Sequence, residues 1–355
     1  MLSLVICTLD EHEAIGGVLS ELNQHLQDIK HEIIVVDDST DERTADVVHA
    51  YAQTHKQVRL LRRHQASGLS SAAIKGWDAA EGRVLAIMDG DGQHDPVLIK
   101  ALLEKLEDPT IDVAVASRYL DGSRSGLNGL RHRLSRTGTW LTDAMLGVPL
   151  ADPLSGCFAM TREWYTQVRR ELSGLGFKIL IDVVASGSRR PHTAQAPTLL
   201  RARAGGASKL DTRVVIDLIT LLIEKRTRGR FTAKAVMDSV AVLSTFCMQW
   251  LAVDVLLKLS VPLWLAMLLS VGFGLTGRLG IAHIMTPRSL RPRTLQGARR
   301  QWLAFYISRW SDIPLNACFA LALLAAHCPW TIAVLGGVLL AESRYHLTQR
   351  AGVSA

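Results

Sequence analysis

The sequence predicts an α/β domain with a mainly parallel sheet, followed by an all-α transmembrane domain of about four helices. Three observations predict it. Over residues 2–117, short apolar runs alternate with stretches of helical period, the pattern of linked βαβ units. Beyond about residue 230, long apolar runs are separated by short basic clusters. The charge divides at the same place: residues 1–224 carry 25 basic and 29 acidic side chains, and residues 225–355 carry 15 and 4. The domains therefore read as 1–224 and 225–350.

The elements follow in order. Residues 2–8 (LSLVICT) read as a buried strand. From Glu13 to Gln27, Ile15, Val18, Leu19, Leu22 and Leu26 repeat with helical spacing. Glu32 to Asp37 is a second strand, running into Asp37-Asp38-Ser39-Thr40-Asp41. A helix over Thr44–His55, a short strand over Val58–Leu61 and a helix over Gly68–Ala80 come next. Val84–Met88 is a strand that meets Asp89-Gly90-Asp91-Gly92-Gln93. Val97–Leu106 is helical, and Val113–Ser117 is a strand. In parallel α/β sheets ligands gather beyond the carboxyl ends of the strands, where both acidic clusters lie.

A basic stretch (Lys225, Arg226, Arg228, Arg230) precedes four apolar runs, roughly 235–257, 261–285, 302–326 and 329–347. A span needs about 20 residues of helix. The first three runs reach that length, whereas Glu342 and Arg344 interrupt the fourth. The 286–300 connection holds five arginines, and the other two connections are short and nearly uncharged. Under the positive-inside rule both termini and the 286–300 loop are cytoplasmic, which four spans satisfy. The alternative is a buried helical bundle, favoured by Asp238, Asp254, Arg278, Arg309 and Asp312 within the runs. In a bilayer these charges must face one another or a polar cavity.

The whole chain is 48% hydrophobic with a mean hydropathy of +0.17, which excludes a disordered chain or a small disulfide scaffold. Its five cysteines form no C-x-x-C pair and read as reduced thiols. The N-terminus lacks a basic region before its short apolar run, so the first domain is expected to stay in the cytoplasm. Basic clusters between apolar runs point to a membrane surface and not to nucleic acid.

Three groups of residues carry chemistry. Asp89 and Asp91, two residues apart at a strand end, can converge on one hard cation, with Gln93 as a neutral oxygen ligand. Magnesium or manganese suits such donors, and the cation would bridge a nucleotide diphosphate. The alternative is an ordinary acidic turn. Asp37 and Asp38 end a strand where a nucleoside could be held, or form an Asx turn before a helix. Arg118, Arg131 (four residues before Ser135) and Arg203 can clamp phosphate oxygens, or be solvated surface charges. Lys178 sits in an apolar stretch, unusual for lysine.

Taken together, these motifs resemble family 2 glycosyltransferases of the polyprenyl-phosphate sugar synthase group, closest to dolichol-phosphate mannose synthases. Val5–Glu11, Val35–Thr44, Gly68–Ala72, Asp89–Pro96, Ser117–Tyr119, Arg131–Ser135, Asp152–Phe158, Gly176–Asp182 and Arg203–Leu210 match the family's motifs in order. The resemblance spans residues 2–210, and the C-terminal part is loosely similar to a four-span GtrA-like domain. It implies a GT-A type nucleotide-sugar-binding fold and inverting transfer of one hexose from a nucleotide sugar to a polyprenyl phosphate. GDP-mannose is the expected donor, with a UDP-sugar (glucose or another hexose) as the alternative.

Carried onto this chain, the family's roles give Asp89, Asp91 and Gln93 to Mg²⁺ or Mn²⁺. Thr8, Glu11, Asp37, Asp38, Ser39 and Asp89 would hold the nucleotide. Asp89, Asp91, Arg118, Arg131, Ser135, Lys178 and Arg203 would make up the catalytic set. Cys7, Leu9 and Asp10 replace the family's Pro, Tyr and Asn, which leaves the base open between GDP and UDP. Gly92 and Asp95 replace Leu and Pro beside the metal motif, and Asp182 shortens the usual Glu. Two rival readings stand against this one. A processive polysaccharide synthase would carry Q-x-x-R-W, and Tyr306–Trp310 lacks the Gln. A non-enzymatic lipid-linked sugar carrier is opposed by the intact Asp89/Asp91/Gln93 set.

Overall fold

The computed structural model describes residues 1–63, 68–120, 129–147, 150–201, 212–285 and 295–352. It divides into two compact units, Met1–Ala233 and Lys234–Ala355. The division falls nine residues beyond the expected 224/225 boundary, because the helix Thr212–Arg226 belongs to the first unit with its closing turn.

In the first unit the strands are β1 (Leu2–Thr8), β2 (His31–Asp37), β3 (Val58–Arg62), β4 (Val84–Asp89), β5 (Val113–Ser117), β6 (Phe158–Thr161) and β7 (Thr193–Pro197). Among the described residues they form one sheet of order β3-β2-β1-β4-β6-β5-β7. Neighbours run parallel except at β6, which is antiparallel to both β4 and β5. The helices are α1 (Ile15–His25), α2 (Arg43–Thr54), α3 (Leu69–Asp78), α4 (Val97–Lys105), α5 (Gly129–Leu146), α6 (Arg162–Val168), α7 (Ile179–Ala185) and α8 (Thr212–Arg226).

Successive side chains of a strand point to opposite faces, so each strand feeds two cores. Val5, Ile34, Val36, Leu85 and Ile87 join Trp77 of α3, Trp164 of α6 and Ile179 of α7 on one side. Leu4, Ile6, Ile33, Val35, Ala86 and Met88 join Leu19 and Leu22 of α1 and Ile99 of α4 on the other. Burial on both faces explains why these strands read as continuous apolar runs. Helix α3 lies close on the sheet: a Cβ at Gly76 would stand 2.5 Å from a Val5 methyl, and Trp77 Nε1 donates to the Ala86 carbonyl at 3.2 Å.

The second unit holds α9 (Ala233–Lys258), α10 (Leu263–Met285), α11 (Leu295–Ser308), α12 (Asp312–Ala325) and α13 (Trp330–Gly352). Among the described residues two helices are long and apolar enough to cross a membrane, over Ala235–Lys258 and Leu263–Ile284. The run expected over 302–326 is not one helix. It breaks at residues 309–311, and α12 with 14 residues is apolar but short. Pro314, the third residue of α12, has no amide N–H and its ring opposes the Trp310 carbonyl, so one continuous helix cannot run through this point. The charges beside the break are paired. Arg309 is buried and bidentate to Glu342 of α13, at 2.9 and 3.3 Å, and Arg278 of α10 reaches the same carboxylate at 2.8 Å. Asp312 accepts from Arg344 at 2.8 Å, and the Arg309 guanidinium lies 3.7 Å from the Tyr345 ring centre. Charges set in apolar helices are tolerated when they meet one another, as these do. Gly336 and Gly337 let α13 approach α12, since a Cβ on either would stand 2.5 Å from Leu323 or Asn316.

Candidate active site

Strand register assembles the site. Thr8 ends β1 opposite Asp37, and Cys7 lies opposite Asp89, so three neighbouring strands present their carboxyl ends together. Asp37 is fully buried. Its Oδ1 accepts from Thr8 Oγ1 at 2.9 Å and from Ser39 Oγ at 2.6 Å, while Arg62 Nε stands 3.5 Å from its Oδ2. Ser39 Oγ also accepts from the Asp10 amide at 2.8 Å, and Asp10 takes a left-handed φ of 57° there. Thr8, Asp37 and Ser39 thus tie the β1 and β2 loops to each other. The Glu11 side chain is buried, and its carbonyl accepts the Ala14 and Ile15 amides at the start of α1.

Asp38 is clamped by a residue the sequence did not single out. Arg63 is bidentate to it, Nε to Oδ1 at 2.6 Å and Nη2 to Oδ2 at 2.5 Å. Arg63 also donates to Ser71 Oγ at 3.0 Å and to the Gly68 carbonyl at 3.2 Å. It joins the end of β2 to the start of α3. An arginine just past β3 carries no distinctive spacing, so only the fold reveals this role.

The acidic motif follows β4. A Cβ at Gly90 would stand 3.0 Å from the Thr8 methyl, and Gly92 turns the chain at φ 75°. That turn lets the Gln93 amide donate to Asp91 Oδ1 at 3.1 Å. Gln93 also pairs with Arg201: its carbonyl accepts the Arg201 amide at 2.8 Å, and its Nε2 donates to the Arg201 carbonyl at 3.4 Å. Asp91 is buried and Asp89 partly exposed. His94 is buried with Nε2 3.8 Å from Asp89 Oδ2. Gly156 leaves room for Asp89, because a Cβ there would stand 2.1 Å from its Oδ2. Both His94 and Gly156 sit inside quoted motifs, and their spacing alone gave no role.

Arg118, just past β5, is held by buried Asp152, with Nε to Oδ2 at 2.5 Å and Nη2 to Oδ1 at 2.7 Å. Lys178, just before α7, donates to the Leu154 carbonyl at 3.4 Å. Burial pushes its amine below the ordinary lysine range, and Arg118 adds to that, while Asp89 and Asp152 pull the other way. Asp89, Arg118, Asp152 and Lys178 therefore share one electrostatic neighbourhood. Asp182 is a buried strut that accepts from Ser173 and Gly174 and pairs with Lys225 at 2.6 Å. Arg131 and Ser135 lie on α5 with side chains outside the described residues, and Arg203 lies outside them altogether.

The donor set suits a hard divalent cation shared with a ligand. Among the described residues no three His, Cys, Asp or Glu groups converge. Two carboxylates and an amide match magnesium's habit of combining one or two carboxylates with substrate phosphates.

Glycosyl transferase family 2 matches over residues 3–169. A dolichol-phosphate mannosyltransferase of Pyrococcus furiosus is 28% identical over 95% of both chains. The Saccharomyces cerevisiae protein of the same name is 32% identical over 55% of this chain and 74% of its own. A dodecaprenyl-phosphate galacturonate synthase of Rhizobium johnstonii is 27% identical over 64% of this chain and 68% of its own. The parallel sheet with its acidic motif beyond β4 is the GT-A type arrangement that the resemblance implied. The chain belongs to glycosyl transferase family 2 and is a glycosyltransferase.

Proposed function

We propose that this enzyme transfers one hexose, mannose from GDP-mannose, to the phosphate of a polyprenyl phosphate. The observation that carries the reading is the register placing Thr8, Asp37 and Asp89 at one line of strand ends, with Asp91 and Gln93 on the following turn. Relatives named for dolichol-phosphate mannosyl transfer, one along nearly the whole chain, support the acceptor and sugar. A lipid acceptor also fits two helices long and apolar enough to span.

A phosphate oxygen of the acceptor attacks the anomeric carbon. The bond from that carbon to the diphosphate oxygen breaks, the nucleoside diphosphate leaves and the configuration inverts. Asp89, Asp91 and Gln93 would hold Mg²⁺ or Mn²⁺, which supplies neutralisation of the leaving diphosphate's charge. Thr8, Glu11, Asp37, Asp38 and Ser39 shape the nucleoside end of the site. Arg118, Arg131, Ser135, Lys178 and Arg203 serve the phosphates of acceptor and donor. A phosphate's second pKa of about 6 leaves the acceptor largely ionised near neutrality, so no strong general base is required. The arginines of 286–300 support a reading in which the chain is an integral membrane protein with its catalytic unit on the cytoplasmic side.

A UDP-hexose donor is the second reading, favoured by Cys7, Leu9 and Asp10 at positions where the family carries Pro, Tyr and Asn. Membranes containing the chain, incubated with polyprenyl phosphate and labelled GDP-mannose, UDP-glucose or UDP-N-acetylglucosamine, test both. Lipid-extractable label from GDP-mannose is expected. Label from a UDP-sugar alone selects the second reading, and label from none contradicts both.

A further inference from the structure

The first unit also contains a polar cavity of about 1040 Å³. It is bounded by the end of α5, the segment leading into β7 and the last turn of α8. Thr193, in its wall, pairs with Val113 at the amino end of β5, whereas the candidate active site lies at the carboxyl ends of β1, β2 and β4. The cavity is therefore separate from that site.

Five cations line it. Arg189 is held by Asp112 at 2.7 Å, and Lys225 by Asp182 at 2.6 Å. Arg190, Arg226 and Arg228 are exposed, and among the described residues no carboxylate forms an ion pair with them. Glu171 and Glu224 also line the cavity but leave the cations in excess. Arg190 comes from the segment before β7, far in sequence from the basic run that closes α8, so the fold brings two basic segments to one concavity. Like charges around a pocket repel, and a bound anion relieves that repulsion. Arg228 stands seven residues before Ala235, where the 24-residue apolar span within α9 begins. This chain neighbour selects a membrane lipid over a soluble anion.

We propose that this cavity binds the phosphate headgroup of an anionic phospholipid, at a site distinct from sugar transfer. The proposal does not rest on the assignment of donor or acceptor. The test uses the full chain in detergent, titrated with phosphatidylglycerol and phosphatidylcholine in equal amounts, with bound lipid counted by native mass spectrometry. The wild type is expected to retain phosphatidylglycerol in preference. A basic residue near an anionic lipid surface is worth roughly a fivefold change. R190Q is then expected to lower retention about fivefold, and R190Q/R226Q/R228Q about a hundredfold. R83Q/R170Q, exposed basic positions of the first unit that do not line the cavity, is expected to match the wild type. Equal retention of the two lipids, or R190Q indistinguishable from wild type with an unchanged melting curve, overturns the proposal. Displacement of phosphatidylglycerol by millimolar glycerol 3-phosphate also overturns it, because the site would then be one for soluble phosphate.

Discussion

Replacing Gly156 by Ala is expected to damage transfer while sparing the fold. The added methyl would stand 2.1 Å from Asp89 Oδ2, 2.7 Å from its Cγ and 2.9 Å from its Oδ1. Ordinary contact requires about 3.4 Å, so the carboxylate must retreat by roughly 1 Å. It can do so by rotating its own side chain, because Asp89 is partly exposed and ends a strand. Stability should then fall by no more than about 1 kcal/mol, the usual scale for a single substitution. A misplacement of that size at a reacting centre costs about 10²-fold in rate. Steady-state transfer from GDP-mannose, measured across a manganese titration, is expected to show a kcat/KM about a hundredfold lower and a raised metal requirement. Thermal unfolding should move by only a few degrees. A variant with wild-type kcat/KM and metal requirement would refute the role given to Asp89. Global unfolding would refute the argument that the carboxylate alone must move.

Three further outcomes are expected. Burial alone would raise the carboxyl of Glu32, but hydrogen bonds from Ser3 and the Glu81 amide, with Arg59, outweigh it and hold it below the ordinary glutamate range. Its stabilisation is present above about pH 4.5 and lost as pH falls through the lowered value. Urea unfolding of Glu32→Gln should therefore show a deficit of about 1–2 kcal/mol at pH 7 that vanishes in acid. Glu342→Gln leaves Arg278 and Arg309 facing a neutral amide, and should cost about 3–5 kcal/mol in thermal unfolding of the full chain. Burial, then the negative charge of Asp89, pushes the thiols of Cys7 and Cys157 above their ordinary range. Both should resist iodoacetamide at pH 8 until the protein unfolds, as read by peptide mass spectrometry.

Much of the first unit could be read because its strands announce themselves twice, by apolar runs and by the turns that end them. The predicted strands over 2–8 and 113–117 are met residue for residue, and those over 32–37 and 84–88 to within one residue. β6 and β7 were not read. β6 has four residues, and β7 ends in Pro197 with only Ala196 fully buried. Their place depends on partners distant in sequence, and an antiparallel strand in a parallel sheet has no local signature. The break at 309–311 has a local signal that mean hydropathy averages away, Pro314, whose ring and missing N–H oppose a helix through Trp310. The pairing of Arg309 with Glu342, 33 residues away, has none.

The candidate site was visible where chemistry and motif coincide, at Asp37, Asp38, Asp89, Asp91 and Gln93. The residues that hold these groups in place were not visible. Arg63 clamps Asp38, Asp152 clamps Arg118, and Gly156 makes space for Asp89. Their contribution is geometric, and geometry arises only once separate strands and loops come together.

The most direct measurement is calorimetric binding of GDP to the full chain, with and without manganese, in the wild type and in Asp91→Ala. In the wild type the cation is expected to tighten GDP binding at least about tenfold, on the order of 1.4 kcal/mol. Asp91→Ala should bind GDP weakly and with equal affinity in both conditions. Cation-independent binding in the wild type, or the full manganese effect surviving in Asp91→Ala, would contradict a metal-held diphosphate at the end of β4.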